Sequence, residues 1–293
     1  MKRREYEGNE ATLDEWSRKF SDKFYEQDKY RSYSEMWLQT VQHAADVAEA
    51  IREHNYNNAC HNLAEVFCWM SGIINKCNRE PDDNSFFKMD EKFSEIVWLK
   101  YHNKCPLCDE IRCICPLMKS QINELKHKEK EDRYDRLERE GRDQIKHNNN
   151  IKEIKRLVEM YDTTYRSSYV LSTIEEICFH FTEEIGEVAE MVHKLDKREL
   201  DKKNGIELSS LTDEEKEGIK EFQRQLKREL ADVFSWSVAL IIKFNIMIDE
   251  ISPVLVSYGK LGLPSDEKRG IDKVYPLEYS EILEKFWVEI QCK

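Results

Sequence analysis

Leu230-Ala231-Asp232-Val233-Phe234-Ser235-Trp236 has an earlier counterpart in Leu63-Ala64-Glu65-Val66-Phe67-Cys68-Trp69, with Leu, Ala, Val, Phe and Trp in matching places. Leu230, Val233 and Phe234 lie three and four residues apart, the period of one helix face. Outward from this pair the likeness continues. Asp46-Val47-Ala48-Glu49-Ala50-Ile51 matches Glu187-Val188-Ala189-Glu190-Met191-Val192, and Tyr30-Arg31-Ser32 matches Tyr165-Arg166-Ser167. The order is the same in both stretches, which marks a tandem duplication, each copy reading as a small helical bundle. Composition points the same way. Only 9 Gly and 6 Pro occur in 293 residues, 35% of the chain is charged, and 40% is apolar at helical spacing. Few turn signals and abundant charge favour long solvated helices, so the expected fold class is all-α.

In the second copy Ile185, Val188, Ala189 and Val192 form one stripe, with Glu184 and Glu187 projecting together beside it. Glu229 and Asp232 repeat the spacing on a later helix that also carries Leu230, Val233, Phe234, Leu240 and Ile241. Antiparallel packing of the two helices would gather four carboxylates. Such a group repels itself and takes up protons unless cations are bound, and hard oxygen donors suit magnesium or manganese. The bland alternative is a solvated acidic face in a chain with 58 Asp and Glu.

Glu183-Glu184-Ile185-Gly186-Glu187-Val188-Ala189-Glu190, followed by Arg228-Glu229-Leu230-Ala231-Asp232-Val233, resembles the E-E-x-G-E and E-L-A-D signature of the MazG-like nucleotide pyrophosphohydrolases. The resemblance covers residues 161–260. It implies an α-helical, magnesium-dependent enzyme that cleaves a nucleoside triphosphate between the α and β phosphates, giving the monophosphate and pyrophosphate. Its four acidic positions fall on Glu184, Glu187, Glu229 and Asp232. Metal held there would orient the triphosphate, offset charge on the leaving pyrophosphate and activate water. Glu183 is a candidate support or general base, and Lys260 a candidate phosphate contact. The two acidic pairs stand further apart than the family pattern. The added charged stretch, residues 196–204, precedes a helix start at Ser210-Leu211-Thr212-Asp213 and is expected to form a flap or shape substrate choice.

Aligning the copies sets His43 against Glu184, Asp46 against Glu187, Asn62 against Glu229 and Glu65 against Asp232. Half the carboxylates are gone, so the first copy is expected to be non-catalytic. The resemblance implies active units made by pairing bundles. The first copy would then act as the partner in an internal pseudo-dimer, or the chain would form a homo-oligomer.

Cys105-Pro106-Leu107-Cys108 and Cys113-Ile114-Cys115 offer four thiolates for a closed structural zinc site, with an iron–sulfur cluster or plain buried cysteines as the alternatives. The domain plan is therefore a degenerate repeat in residues 1–101, a cysteine knot in 102–118, a charged helical connector with a break near Asn148-Asn149-Asn150 in 119–153, and the catalytic copy in 154–293.

A net charge of −12 argues against binding a nucleic-acid backbone. The most apolar stretch, residues 233–242, is about half a membrane span, and Met1-Lys2-Arg3-Arg4-Glu5-Tyr6-Glu7 lacks a signal peptide's apolar run, so a cytoplasmic location without a membrane span is expected. Two other functions compete. Glu190-Met191-Val192-His193 is one Glu-x-x-His motif of the kind di-iron bundles use in pairs, and the knot with its charged connector suits a non-catalytic adaptor.

Overall fold

The computed structural model describes residues 12–79, 89, 91–118, 127–147, 152–206, 208–259 and 278–291. Among these the regular elements are all helical: α1 (Leu13–Asp28), α2 (Tyr33–Arg52), α3 (Tyr56–Arg79), α4 (Phe93–Tyr101), α5 (His127–His147), α6 (Ile154–Leu171), α7 (Ile174–Lys203), α8 (Asp213–Gly259) and α9 (Tyr279–Gln291). Short 3-10 turns lie at Cys115–Leu117 and Leu208–Ser210.

Helix starts are written locally. Thr12 and Glu15 close a capping box on α1, Ser32 and Glu35 one on α2, Thr173 and Glu176 one on α7, and Thr212 and Glu215 one on α8. In each, a hydroxyl and a carboxylate satisfy backbone N–H groups that the helix itself leaves unpaired. The α2–α3 connection is a tight turn through His54, whose φ of 55° is left-handed. The α7–α8 connection turns at Gly205, whose φ of +84° favours a residue without a Cβ. Residues 196–203 continue α7 as helix, so most of the added charged stretch lengthens that helix before the turn at Gly205.

One contiguous core draws on both halves of the chain. α2 packs on α3 and on α7, α3 also meets α8 and α9, and α6 meets α8. At the centre Phe67 and Phe234, the matching positions of the two seven-residue segments, lie 6.3 Å apart, with Phe93 and Tyr279 within 6.2 Å of both. Each such ring buried contributes roughly 1.5–3 kcal/mol of transfer free energy. Polar contacts reinforce the join. Asp196 of α7 accepts from the Tyr33 and Ser34 backbone N–H groups at 2.7 and 2.8 Å, and Trp37 Nε1 donates to the Ile185 carbonyl at 3.0 Å.

The apolar part of α8 has a mean hydropathy of 1.5 over its richest window, of which 83% is buried inside the protein. Core packing thus accounts for its composition. The connector helix α5 packs on the bundle along one side. Leu137 is buried, and Gly141 allows close approach to α4, since a Cβ there would stand 3.3 Å from the Leu99 Cα. Arg228 to Glu131 at 2.8 Å and Arg224 to Asp135 at 2.6 Å tie α5 to α8.

Candidate metal centres

α7 and α8 bring Glu184, Glu187 and Glu229 together, with a carboxylate oxygen of each within 4.8 Å of the others. The stripe Ile185, Val188 and Val192 is buried against the core, which turns the acids at i−1 and i+2 toward α8. Glu184 and Glu229 are half-buried, while Glu187 is exposed at the rim. Trp236 Nε1 donates to Glu184 Oε1 at 3.2 Å, and His180 stacks on the Trp236 ring with centroids 4.7 Å apart. Burial, then the neighbouring Asp232 charge, pushes the Glu184 carboxyl up to about 8 against the opposing pull of Lys100. Burial pushes Glu229 up to about 7, again opposed by Lys100 and aided by Asp232 and Glu187. These are carboxylates crowded in a low-dielectric site without enough positive charge.

Asp232 stands beside this triad but is not part of it. Its Oδ2 accepts from the ammonium of Lys100 and its Oδ1 from the hydroxyl of Tyr101, both contributed by the end of α4. Lys100 is buried, and burial alone would lower its pKa. The Asp232 charge reverses that and holds the ammonium above its ordinary range.

The four cysteines converge equally well: the sulfurs of Cys105, Cys108, Cys113 and Cys115 all lie within 4.8 Å of one another, and those of Cys105 and Cys115 are 3.5 Å apart. A tetrahedral zinc with Zn–S near 2.3 Å asks for S···S of about 3.8 Å, so this set fits a closed four-thiolate site. The left-handed Asp109 (φ 62°) turns the first knuckle, with Asp109 N–H donating to the Cys105 carbonyl at 2.8 Å. Cys113 N–H donates to the Thr164 carbonyl of α6 at 2.7 Å, and Arg133 of α5 donates to the Leu107 carbonyl. The knot is thereby clamped between α5 and α6, four residues beyond the end of α4.

No protein-family model, curated protein or solved structure matches the chain. The reading of the site therefore rests on its geometry and chemistry.

The remaining residues singled out by sequence fall outside the triad. Glu183 is exposed and pairs with His180 at 3.2 Å, so it braces the His180–Trp236 stack from outside. Glu190 is exposed and paired with Lys194 at 3.0 Å, and it is not among the carboxylates that converge. Lys260 lies outside the described residues. In the first copy His43, Asp46, Asn62 and Glu65 do gather. His43 Nδ1 lies 3.0 Å from Asn62 Oδ1 and 3.9 Å from Asp46, and His43 Nε2 lies 3.9 Å from Glu65. A histidine–amide hydrogen bond here takes the place of converging carboxylates, and among the described residues only the acidic triad and the cysteines bring three or more metal-binding side chains within 4.8 Å.

Sequence reasoning missed Lys100, Tyr101, Trp236 and His180. Trp236 left a signal, since it ends the duplicated segment opposite Trp69. Lys100 and Tyr101 left none, because nothing local tells a lysine at the end of a short helix that it faces an aspartate 132 residues away.

Proposed function

We propose that this chain is a MazG-like, magnesium-dependent pyrophosphohydrolase that converts a nucleoside triphosphate to the monophosphate and pyrophosphate. The observation that carries this reading is the convergence of Glu184, Glu187 and Glu229 between two long helices. Three carboxylate oxygens suit a hard divalent cation that keeps some of its water, and the burial that makes unneutralised Glu184 and Glu229 costly is relieved by such an ion. When bound, magnesium or manganese would neutralise a polyphosphate and activate a water molecule.

The chain's own residues supply the rest. Trp236 fixes the orientation of Glu184, with Glu183 and His180 bracing Trp236. Glu187, at the exposed rim, is the carboxylate nearest to an incoming ligand. The α3–α8 contact and the meeting of Phe67 with Phe234 favour an internal pseudo-dimer in which the first copy is a structural partner. The cysteine knot then serves as a structural zinc staple with no open coordination position.

The test is to incubate the purified protein with ribo- and deoxynucleoside triphosphates and magnesium, and to resolve products by chromatography beside Glu187→Gln. Monophosphate and pyrophosphate from the native protein alone support the reading. Absence of turnover with every nucleotide, with magnesium or manganese, overturns it in favour of a zinc-containing helical adaptor.

A further inference from the structure

The acidic centre has a positive charge of its own built into it. Lys100 comes from α4, outside both acid-bearing helices, and its side chain is only 6% exposed. Its ammonium donates to Asp232 Oδ2 and to the Arg228 carbonyl at 3.2 Å, while Tyr101 donates to the other oxygen of the same carboxylate. Tyr101 is itself buried and stacks edge-on against Tyr161 at 5.2 Å and Tyr165 at 6.2 Å, so it is held in place by packing. Both Asp232 oxygens are therefore taken by donors that the fold fixes. A lysine this deep is retained only when its charge is matched, because removing an unpaired ammonium from water costs several kcal/mol. A second divalent ion at Asp232 would have to displace both donors and sit beside a buried ammonium, where like-charge repulsion is weakly screened.

We propose that the centre holds a single divalent cation on Glu184, Glu187 and Glu229, and that Lys100 is the fixed second positive charge, keeping Asp232 out of the metal set. This rests on the metal-site reading above and departs from the four-carboxylate metal set that the sequence resemblance implies. Lys100 is a positioning residue: it acts on the metal set through Asp232.

The experiment is a manganese titration of the full chain by calorimetry, with electron paramagnetic resonance to distinguish an isolated ion from an exchange-coupled pair. The native protein should bind one isolated Mn2+ per chain. Lys100→Met frees Asp232 and should bind two, with a coupled signal. The Lys100→Met/Asp232→Asn double variant removes both charges, keeps the fold, and should bind one with an affinity within about tenfold of the native value. It also decides the matter if Lys100→Met alone does not fold, because an Asp232 that ligates would cost the double variant its ion. Two ions on the native protein, one on Lys100→Met, or none on the double variant would each overturn the inference and leave the metal-site reading standing. No ion on the native protein would overturn both.

Discussion

Trp236 carries two duties at once, filling the core side of α8 and donating its one N–H to Glu184. Trp236→Phe keeps most of the apolar contact and removes the donor. Hydrogen bonds that orient a metal ligand are worth about 10–100-fold in metal affinity, so this variant should bind manganese at least about tenfold more weakly at unchanged stoichiometry, as read by calorimetry. Glu184 and Glu229 make a second prediction. Burial, followed by the surrounding charges, holds them up to about 8 and about 7, against 4.5 for an ordinary glutamate. Carboxyls raised in the fold bind more protons there than in the unfolded chain, so their contribution is fully present below about pH 4.5 and is lost as pH rises through about 7 to 8. The melting temperature of the metal-free protein should therefore fall between about pH 5 and about pH 8.5, and magnesium should restore it at the upper end far more than at the lower. A metal-free protein that grows more stable over that window would contradict the assignment.

At the scale of helices, much of the join between the two halves is made by ends. Asp196 lies on α7 yet satisfies the first N–H groups of α2, adding to the Ser32 cap already there. Asp196→Ala should cost about 1 kcal/mol, seen as a lower urea midpoint with an unchanged slope. The end of α4 depends on the knot in the same way, since Lys100 and Tyr101 precede Cys105 by a few residues and the knot is hydrogen-bonded to α6 and α5. Zinc content by mass spectrometry should be one per chain and should be lost in Cys108→Ser, with a fall in melting temperature that added zinc does not reverse.

Across the whole molecule, α1–α3 and α6–α8 share a core and bury matching rings against each other. Phe67→Ala should cost about 3–5 kcal/mol, and unfolding followed by circular dichroism and by tryptophan fluorescence should give one coincident transition. Two separated transitions would mean that the halves fold independently. Electrostatics at this scale work against the fold, because a net charge of −12 is spread over it. The pairs from α5 to α8 and the Lys100–Asp232 contact offset part of that repulsion locally.

What the sequence determined alone is whatever depends on near neighbours. Helical periodicity, the Ser/Thr-x-x-Glu starts, the Glu184/Glu187 spacing and the clustering of four cysteines are each set within a few residues, by rotation per residue and side-chain reach. The all-α class, the meeting of Glu184 and Glu187 with Glu229, and the convergence of the four cysteines were legible in this way. The helical connector was legible too, but its ion pairs to α8 and the continuation of α7 through residues 196–203 were not. Only the tertiary structure decided that both Asp232 oxygens are taken by Lys100 and Tyr101 while its charge still bears on Glu184 and Glu229, that Trp236 braces Glu184, and that Phe67 meets Phe234. Each of these is a contact between groups distant in the chain, and which partner a buried charge or ring finds is fixed by how whole helices pack, information that no local spacing carries.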